Sequence, residues 1–316
     1  MSDWTRGEIE VVAGAVQAAP SVHNTVPWEL EFHHDDAQDD AHGASLFERF
    51  DRALPRHDPR GRDRLISCGA ALENLVLAMR ILGWAPELTL LPRPGRPDEV
   101  ARVRAGTRQE PSDVDLARYA AIPHRHSVRR PFTGVPVEKA TRDALVAASH
   151  TAGVEVRAIG GRDAADVLAR VLGHAALVLK ADRAYQRELS AWTATGPDPA
   201  PGAGVANVAG SVATLPWAGL VRRSTAVPDH ATFAARLRRE CLLLVETPDD
   251  GPLDQIRAGR AVQATWLAAT AAGLAGSVLT QPLQVHEVRA GLIEGLDLAG
   301  FPQALLRFGY PKEDPS

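Results

Sequence analysis

The chain has 316 residues, of which 45% are hydrophobic and 23% charged, ordinary proportions for a globular protein of one large domain or two smaller ones. A formal net charge of -4 argues against general nucleic-acid binding, which needs a basic excess, but leaves room for a local basic pocket. Two cysteines without a Cys-x-x-Cys pair argue against a zinc ribbon or redox dithiol, and no leader-like start or membrane-length apolar run is visible, so the expectation is a cytoplasmic protein.

Residues 5–19 read as a helix: Ile9, Val12, Val16 and Ala19 share a face, Asp3 is a candidate cap, and Pro20 marks the stop. Trp28, Leu30 and Phe32 alternate with Glu29 and Glu31 at strand spacing; a polar loop from His33 to Gly43 then leads to a short strand around Leu46 to Phe50. The strongest helical pattern covers 63–83, where Leu65, Cys68, Leu72, Leu75, Val76, Met79 and Leu82 repeat and Gly83 closes the run. Gly69, Ala70 and Ala71 make part of that helix narrow enough for a close neighbour. Strands follow near 86–91 and 99–105, across a Pro- and Gly-rich turn at 92–98.

After a break at 105–115 the pattern restarts: helix 113–121, basic loop 124–132, helix 137–149, strand 154–159, helix 163–192. The stretch 194–228, heavy in Gly, Pro, Ala and Ser, is too long for an ordinary connection and is expected to be a lid. Strand 240–246, helix 253–273, an extended run 277–282 and strand 303–308 complete the chain. A helix at 258–275 before an extended run mirrors the helix at 63–83 before a strand. This predicts two related α+β halves, residues 1–112 and 113–316.

Two segments carry the chemistry. Pro20-Ser21-Val22-His23-Asn24-Thr25-Val26-Pro27-Trp28 packs donors and acceptors between two stiffening prolines, which suits a flat heterocycle with alternating carbonyl and amide edges; a capped turn with Trp28 in the core is the plainer alternative. His124-Arg125-His126-Ser127-Val128-Arg129-Arg130-Pro131-Phe132 offers guanidinium groups that hold carboxylates or phosphates by paired hydrogen bonds, or else forms a solvated basic loop. His33, His34, Asp35, Asp36, Asp39, Asp40 and His42 match no metal-site spacing and read as a solvated acidic loop. No glycine-rich dinucleotide or phosphate-binding loop follows a strand.

Together the motifs resemble the nitroreductase superfamily. Pro-Ser-x-x-Asn-x-x-Pro-Trp at 20–28 is similar to the family's loop at the flavin ring and ribityl chain, and Arg-His-Ser-x-Arg at 125–129 to its other flavin segment. In ordinary members the basic segment comes first and the site forms at a dimer interface. Here the order is reversed, as in the Acg-like branch, where two halves are fused and one site is kept. Asp58-Pro59-Arg60, Ile66-Ser67-Cys68-Gly69-Ala70-Ala71-Leu72, Leu279-Thr280-Gln281-Pro282 and Pro302-Gln303-Ala304-Leu305-Leu306-Arg307-Phe308-Gly309-Tyr310-Pro311 also resemble that branch.

The resemblance implies a nitroreductase-like α+β fold and bound FMN. Ser21 and Asn24, with the backbone near Pro20 and Val22, would meet the ring edge or ribityl hydroxyls. Arg125 and Ser127 would hold phosphate or ribityl oxygens, with His126 adding a contact. Arg129 would face the pyrimidine edge, Thr280 and Gln281 would pass near N5, and Arg307 would complete the phosphate site. No catalytic acid or base and no metal are implied. Departures are Val26 where glutamine is common, and the lack of a second copy of either segment, so one site per chain is expected. The implied activity is NAD(P)H-dependent reduction of nitroaromatic, quinone-like or related small acceptors by a monomer. The alternatives are a protein that sequesters FMN under a closed lid and a pathway-specific FMN oxidoreductase.

Overall fold

The computed structural model describes residues 4–33, 42–194, 205–206 and 220–312. In chain order the elements are α1 (Arg6–Gln17), β1 (Trp28–His33), β2 (Gly43–Glu48), α2 (Arg62–Ile81), β3 (Trp84–Leu90), β4 (Glu99–Arg108), α3 (Asp113–Ala121), α4 (Lys139–Val146), β5 (Glu155–Ile159), α5 (Arg162–Ala181), α6 (Arg183–Ala191), β6 (Thr193–Ala194), β7 (Val205–Ala206), α7 (His230–Leu237), β8 (Cys241–Thr247), α8 (Pro252–Ala271), β9 (Ala275–Leu279), α9 (His286–Gly295) and β10 (Phe301–Gly309).

Two antiparallel four-stranded sheets share one topology, β1-β2-β4-β3 and β5-β8-β10-β9. In each, a twenty-residue helix joins an inner strand to the far edge strand: α2 joins β2 to β3, and α8 joins β8 to β9. The two helices pack on each other, and both are buried on nearly every side, which is why neither has a clear polar stripe. Gly69 and Gly259, each the eighth residue of its helix, meet where the axes cross. A Cβ on Gly259 would stand 2.0 Å from the Ile66 carbonyl oxygen, and one on Gly69 2.1 Å from that of Ile256. Only hydrogen fits at either position. Beside the crossing, Gln263 Nε2 donates to Asn74 Oδ1 at 2.8 Å, and Arg260 pairs with Glu73 at 2.8 Å.

The sheets differ in their surroundings. In the first, α1 and α2 cover one face: Ala101, Val103 and Ala105 of β4 are buried there, while Arg102 and Arg104 point the other way and are only part-buried. In the second, both faces are covered. Leu243, Val245 and Leu306 pack toward α8, while Leu242, Leu244 and Leu305 join the core built by α5, α6, α7 and α9. All seven residues of β8 are therefore buried, and the strand reads as a continuous apolar run from Cys241 to Val245.

Several expected elements shift. Asp3 lies outside the described residues; α1 is capped by Thr5, whose hydroxyl accepts from Glu8 N while its own N–H donates to the Glu8 carboxylate at 2.9 Å. The second strand starts at Gly43, ahead of Leu46, because it pairs with β1 and β4 at once. The helix expected over 163–192 breaks at Asp182, whose side chain caps α6 through Ala184 N and Tyr185 N. The run 277–282 is strand only to Leu279 and then turns as a 3-10 helix. Helices α7 and α9 were not foreseen; both are short and stand on the α5 surface. Of the expected lid at 194–228, residues 195–204 and 207–219 lie outside the described residues, as do 34–41 of the acidic loop.

Candidate active site

The loop between α1 and β1 is held in a costly conformation. His23, Asn24 and Val26 have φ of 48°, 55° and 50°, a left-handed region that a β-branched residue such as Val26 rarely enters. Strain of this kind survives where surrounding bonds impose it, and it gathers at functional sites. Here Ser21 Oγ accepts from Val26 N at 3.0 Å, Ser67 Oγ from Val22 N at 3.0 Å, and the Val22 carbonyl from Thr25 Oγ1 at 2.9 Å. Trp28 is buried in the core, as the plainer sequence reading had it, and anchors the loop's end.

The basic segment, which follows α3, approaches from the side of β9. Val128 N donates to the Gly276 carbonyl at 2.8 Å, so the segment runs extended along β9, bridged at Ser127 and Gly276. Alternation along an extended chain puts Arg125, Ser127 and Arg129 on one side and buried Val128 on the other; this is the physical sense of the Arg-x-Ser-x-Arg spacing. Burial pulls the Arg129 guanidinium down to about 10, with Arg222 adding to the effect, and burial alone pulls Arg125 down to about 10. Arg125 lies over the Trp266 ring at 4.8 Å, and its buried Nε has no partner among the described residues. Neither arginine forms an ion pair with a described carboxylate.

The two segments open on one cavity of about 660 Å³, its open mouth included. Pro20, Ser21, Val22, Ser127, Arg129, Thr280 and Gln281 line it, with His23, Asp63, Ile66, Ser67, Ala70, Leu220, Val262 and Val278. Its walls thus come from α2, α8 and β9 as well as from the two loops. Asn24, Arg125, His126 and Arg307 do not line it. His126 is exposed, its Nδ1 bonded to the His124 carbonyl at 2.9 Å. Arg307 is fully buried: it makes two 2.6 Å bonds to Glu240, donates to the Val128 and Arg130 carbonyls at 2.9 and 3.2 Å, and lies 4.2 Å over Phe132. It holds the basic segment in place from behind.

A buried polar network forms one end of the cavity. Asp58 caps α2, accepting from Asp63 N and Arg64 N at 3.1 and 2.8 Å and from Gln284 Nε2 at 3.2 Å. Gln281 Nε2 donates to Asp63 at 2.9 Å, and Arg62 spans from Asp63 to the Thr280 and Gln303 carbonyls at 2.8, 3.1 and 2.6 Å. Burial, then neighbouring Asp63, raises the Asp58 carboxyl to about 6. His23 Nε2 meets His57 Nδ1, and His57 Nε2 bonds the Tyr185 carbonyl at 2.9 Å with its ring stacked 3.9 Å from that of Tyr185. A carbonyl only accepts, so His57 carries its proton on Nε2 and His23 donates to the bare Nδ1. Burial, then His57 and Arg129, holds His23 well below the usual histidine range, and burial also lowers His57. Both rings are neutral at pH 7.

The Nitroreductase family model matches residues 122–310. The chain belongs to the nitroreductase family. Among relatives of this nitroreductase-family chain, a Mycobacterium tuberculosis (strain H37Rv) protein provisionally named NAD(P)H nitroreductase Rv3131 is 30% identical, over 92% of this chain and 82% of that one. The protein provisionally named NAD(P)H nitroreductase acg, from the same organism, is 28% identical over 96% and 90%. A crystal structure from Anabaena variabilis, provisionally called a nitroreductase, superposes with a TM-score of 0.55 at 11% identity over 93% of this chain and 82% of that one. The fold is thus the nitroreductase-like α+β fold that the motifs implied.

Sequence reasoning gave no role to His23, Asp63, Ser67, Val262 or Leu220. His23 and Ser67 sat inside quoted motifs, and Asp63 opens α2 directly after Asp58-Pro59-Arg60. What ties Asp63 to the site is its bond to Gln281, more than 200 positions away, while Val262 and Leu220 reach the cavity from α8 and from the segment before α7; none of these approaches leaves a local signature.

Proposed function

We propose that the chain is an FMN-dependent oxidoreductase that draws electrons from NAD(P)H and passes them to small nitroaromatic, quinone-like or related acceptors. The carrying observation is Arg129, which lines the cavity without an ion pair to any described carboxylate, with Arg125 on the same side of the extended segment. A buried cation without a counter-charge is costly, and an anionic, partly apolar cofactor would supply both the charge and a flat body to fill the space between α2 and α8.

In this reading Arg125 and Ser127 hold phosphate or ribityl oxygens, Arg129 faces the pyrimidine edge, and Ser21, Asn24 and the Pro20 and Val22 backbone meet the ring or ribityl edge. Thr280 and Gln281 pass near N5. His126 and Arg307 act at one remove: His126 from the exposed turn, Arg307 by fixing the segment. FMN supplies the hydride chemistry; the protein orients it and tunes its potential. A cation at the pyrimidine edge favours electron acceptance there. Residues 1–112 and 113–316 form two related halves that complete one site in one chain, so the protein works as a monomer.

The visible spectrum of purified protein, before and after anaerobic NADPH, tests this. Flavin bands that bleach are expected. Bands that persist would favour a sequestering protein, and no bands after reconstitution with FMN would sink the assignment. Arg129→Ala should weaken FMN binding about tenfold or lower the flavin potential; titration of the apoprotein and a redox titration check this.

A further inference from the structure

Of the side chains that line the cavity, Gln281 alone carries a buried polar atom, its Oε1, with no hydrogen-bond partner among the described residues. The residue is only 5% exposed. A buried acceptor without a donor costs free energy and is rare, so it calls for a physical account. Two groups decide which end of the amide is left over. Gln281 Nε2 donates to Asp63 Oδ2 at 2.9 Å and reaches the His57 carbonyl at 3.3 Å. A carboxylate and a carbonyl only accept, so turning the amide over would set oxygen against oxygen twice. Oε1 therefore points away from both.

The arrangement is firmly built. Arg62 pairs with Asp63 Oδ1 at 2.8 Å and donates to the Thr280 carbonyl at 3.1 Å, so one guanidinium grips both the acid and the residue before Gln281. The main chain turns there as a 3-10 helix, Gln281–Gln284, closed by Leu283 N on the Thr280 carbonyl at 2.9 Å and stiffened by Pro282. A rotation that sought a donor for Oε1 elsewhere would break the bond to Asp63. The acceptor is thus held for whatever occupies the cavity.

An isoalloxazine ring changes its hydrogen bonding at N5 on reduction. Oxidised, N5 has a lone pair and can only accept; reduced, it carries a hydrogen and donates. A fixed acceptor repels the first state and pairs with the second. We propose that Gln281, locked by Asp63, selects between the two redox states: its Oε1 accepts from N5–H of reduced FMN and so holds the reduced cofactor more tightly than the oxidised one. The proposal rests on the flavin reading of the cavity, with Gln281 near N5. It makes Gln281 a tuning residue and not an acid or base. Its pull has the same direction as that of Arg129 at the pyrimidine edge, but it works through a hydrogen bond from a neutral group.

The test measures the affinity of the apoprotein for oxidised and reduced FMN, and for both states of 5-deaza-FMN, in which a carbon replaces N5 and neither accepts nor donates. Wild type is compared with Gln281→Met, an apolar side chain of similar length. Expected is that Gln281→Met weakens the binding of reduced FMN relative to oxidised FMN by about tenfold, which for a two-electron couple is a midpoint potential about 30 mV lower. The corresponding ratio for 5-deaza-FMN should not move. An unchanged FMN ratio would overturn the proposal, and so would an equal change with both cofactors, which marks a merely structural effect. If Gln281→Met does not fold, wild type decides: its preference for the reduced state should be about tenfold greater with FMN than with 5-deaza-FMN, and equal preferences would overturn the proposal. Wild type that binds FMN in both states without that difference leaves the flavin reading standing and removes this one. Wild type that binds neither cofactor would sink the flavin reading itself, and this proposal with it.

Discussion

The two sheets share a strand order and a central helix, yet one is covered on a single face and the other on both. The first sheet keeps polar groups beside water: Glu99, itself buried, is reached by Ser45 and by Arg93 and Arg102, whose side chains stay partly exposed. The second buries a whole ion pair, Arg307 with Glu240, behind the basic segment. The same topology thus tolerates charge by hydration in one place and by full internal pairing in the other. The added layer of α5, α6, α7 and α9 is what separates them, and it also brings Tyr185 to the site.

What joins the two sheets should be the most fragile feature. Gly259→Leu should cost more than about 3 kcal/mol and leave little folded protein, because the new side chain meets the α2 backbone; soluble yield and thermal denaturation measure it. Next come the two buried acids. Arg307→Met strands Glu240 and should cost about 3–5 kcal/mol, while Glu99→Gln leaves Arg93 and Arg102 able to reach water and should cost about 1–2 kcal/mol. Equal losses in urea unfolding would mean that the difference in covering does not matter.

Acid should act at the buried polar network beside the cavity. His23 and His57 take a proton near 6.5 when unfolded and only at lower pH when folded. The stability they contribute is whole above 6.5 and drains as pH falls. Asp58 works the other way: folded, it holds its proton up to about 6, against 3.8 unfolded, so acidification across that window favours the fold. Asp58→Asn keeps a capping side chain but removes this opposition, and its melting temperature should fall more steeply than wild type between pH 6.5 and 4. The smallest effect belongs to the exposed side of the first half. Nothing stands within 4 Å of a Cβ on Gly14, so Gly14→Ala should stabilise by about 0.5–1 kcal/mol, a rise of a few degrees at most by calorimetry.

Much of this architecture was legible in periodicity. α2 and β8 declare themselves because their environments are uniform along their length, and the narrow Gly69 face announced a close neighbour. Helices α7 and α9 were not legible: they span only eight and ten residues, and their place is set by the α5 surface. The site divides the same way. The two loops stood out because Ser21, Ser127 and Arg129 are unusual chemistry between prolines or beside β9. Asp63 and His57 did not, since an acid at a helix start and a histidine in a loop have commonplace local reasons, and only the fold brings them to the cavity. Arg307 shows the reverse error that charge type invites: a conspicuous arginine at the end of the chain, already fully engaged with Glu240 and two carbonyls.

The Arg62 span to the Thr280 and Gln303 carbonyls bears on how the protein is made. Arg62 leaves the ribosome long before its partners, and at roughly 5–20 residues per second the interval is on the order of 10–50 s. Throughout that time the nascent first half carries a buried-type arginine without its acceptors and an α2 surface awaiting α8. Synthesis of the last strands therefore closes the cavity, and a chain cut short before Gln303 would expose the very surface on which quality control acts.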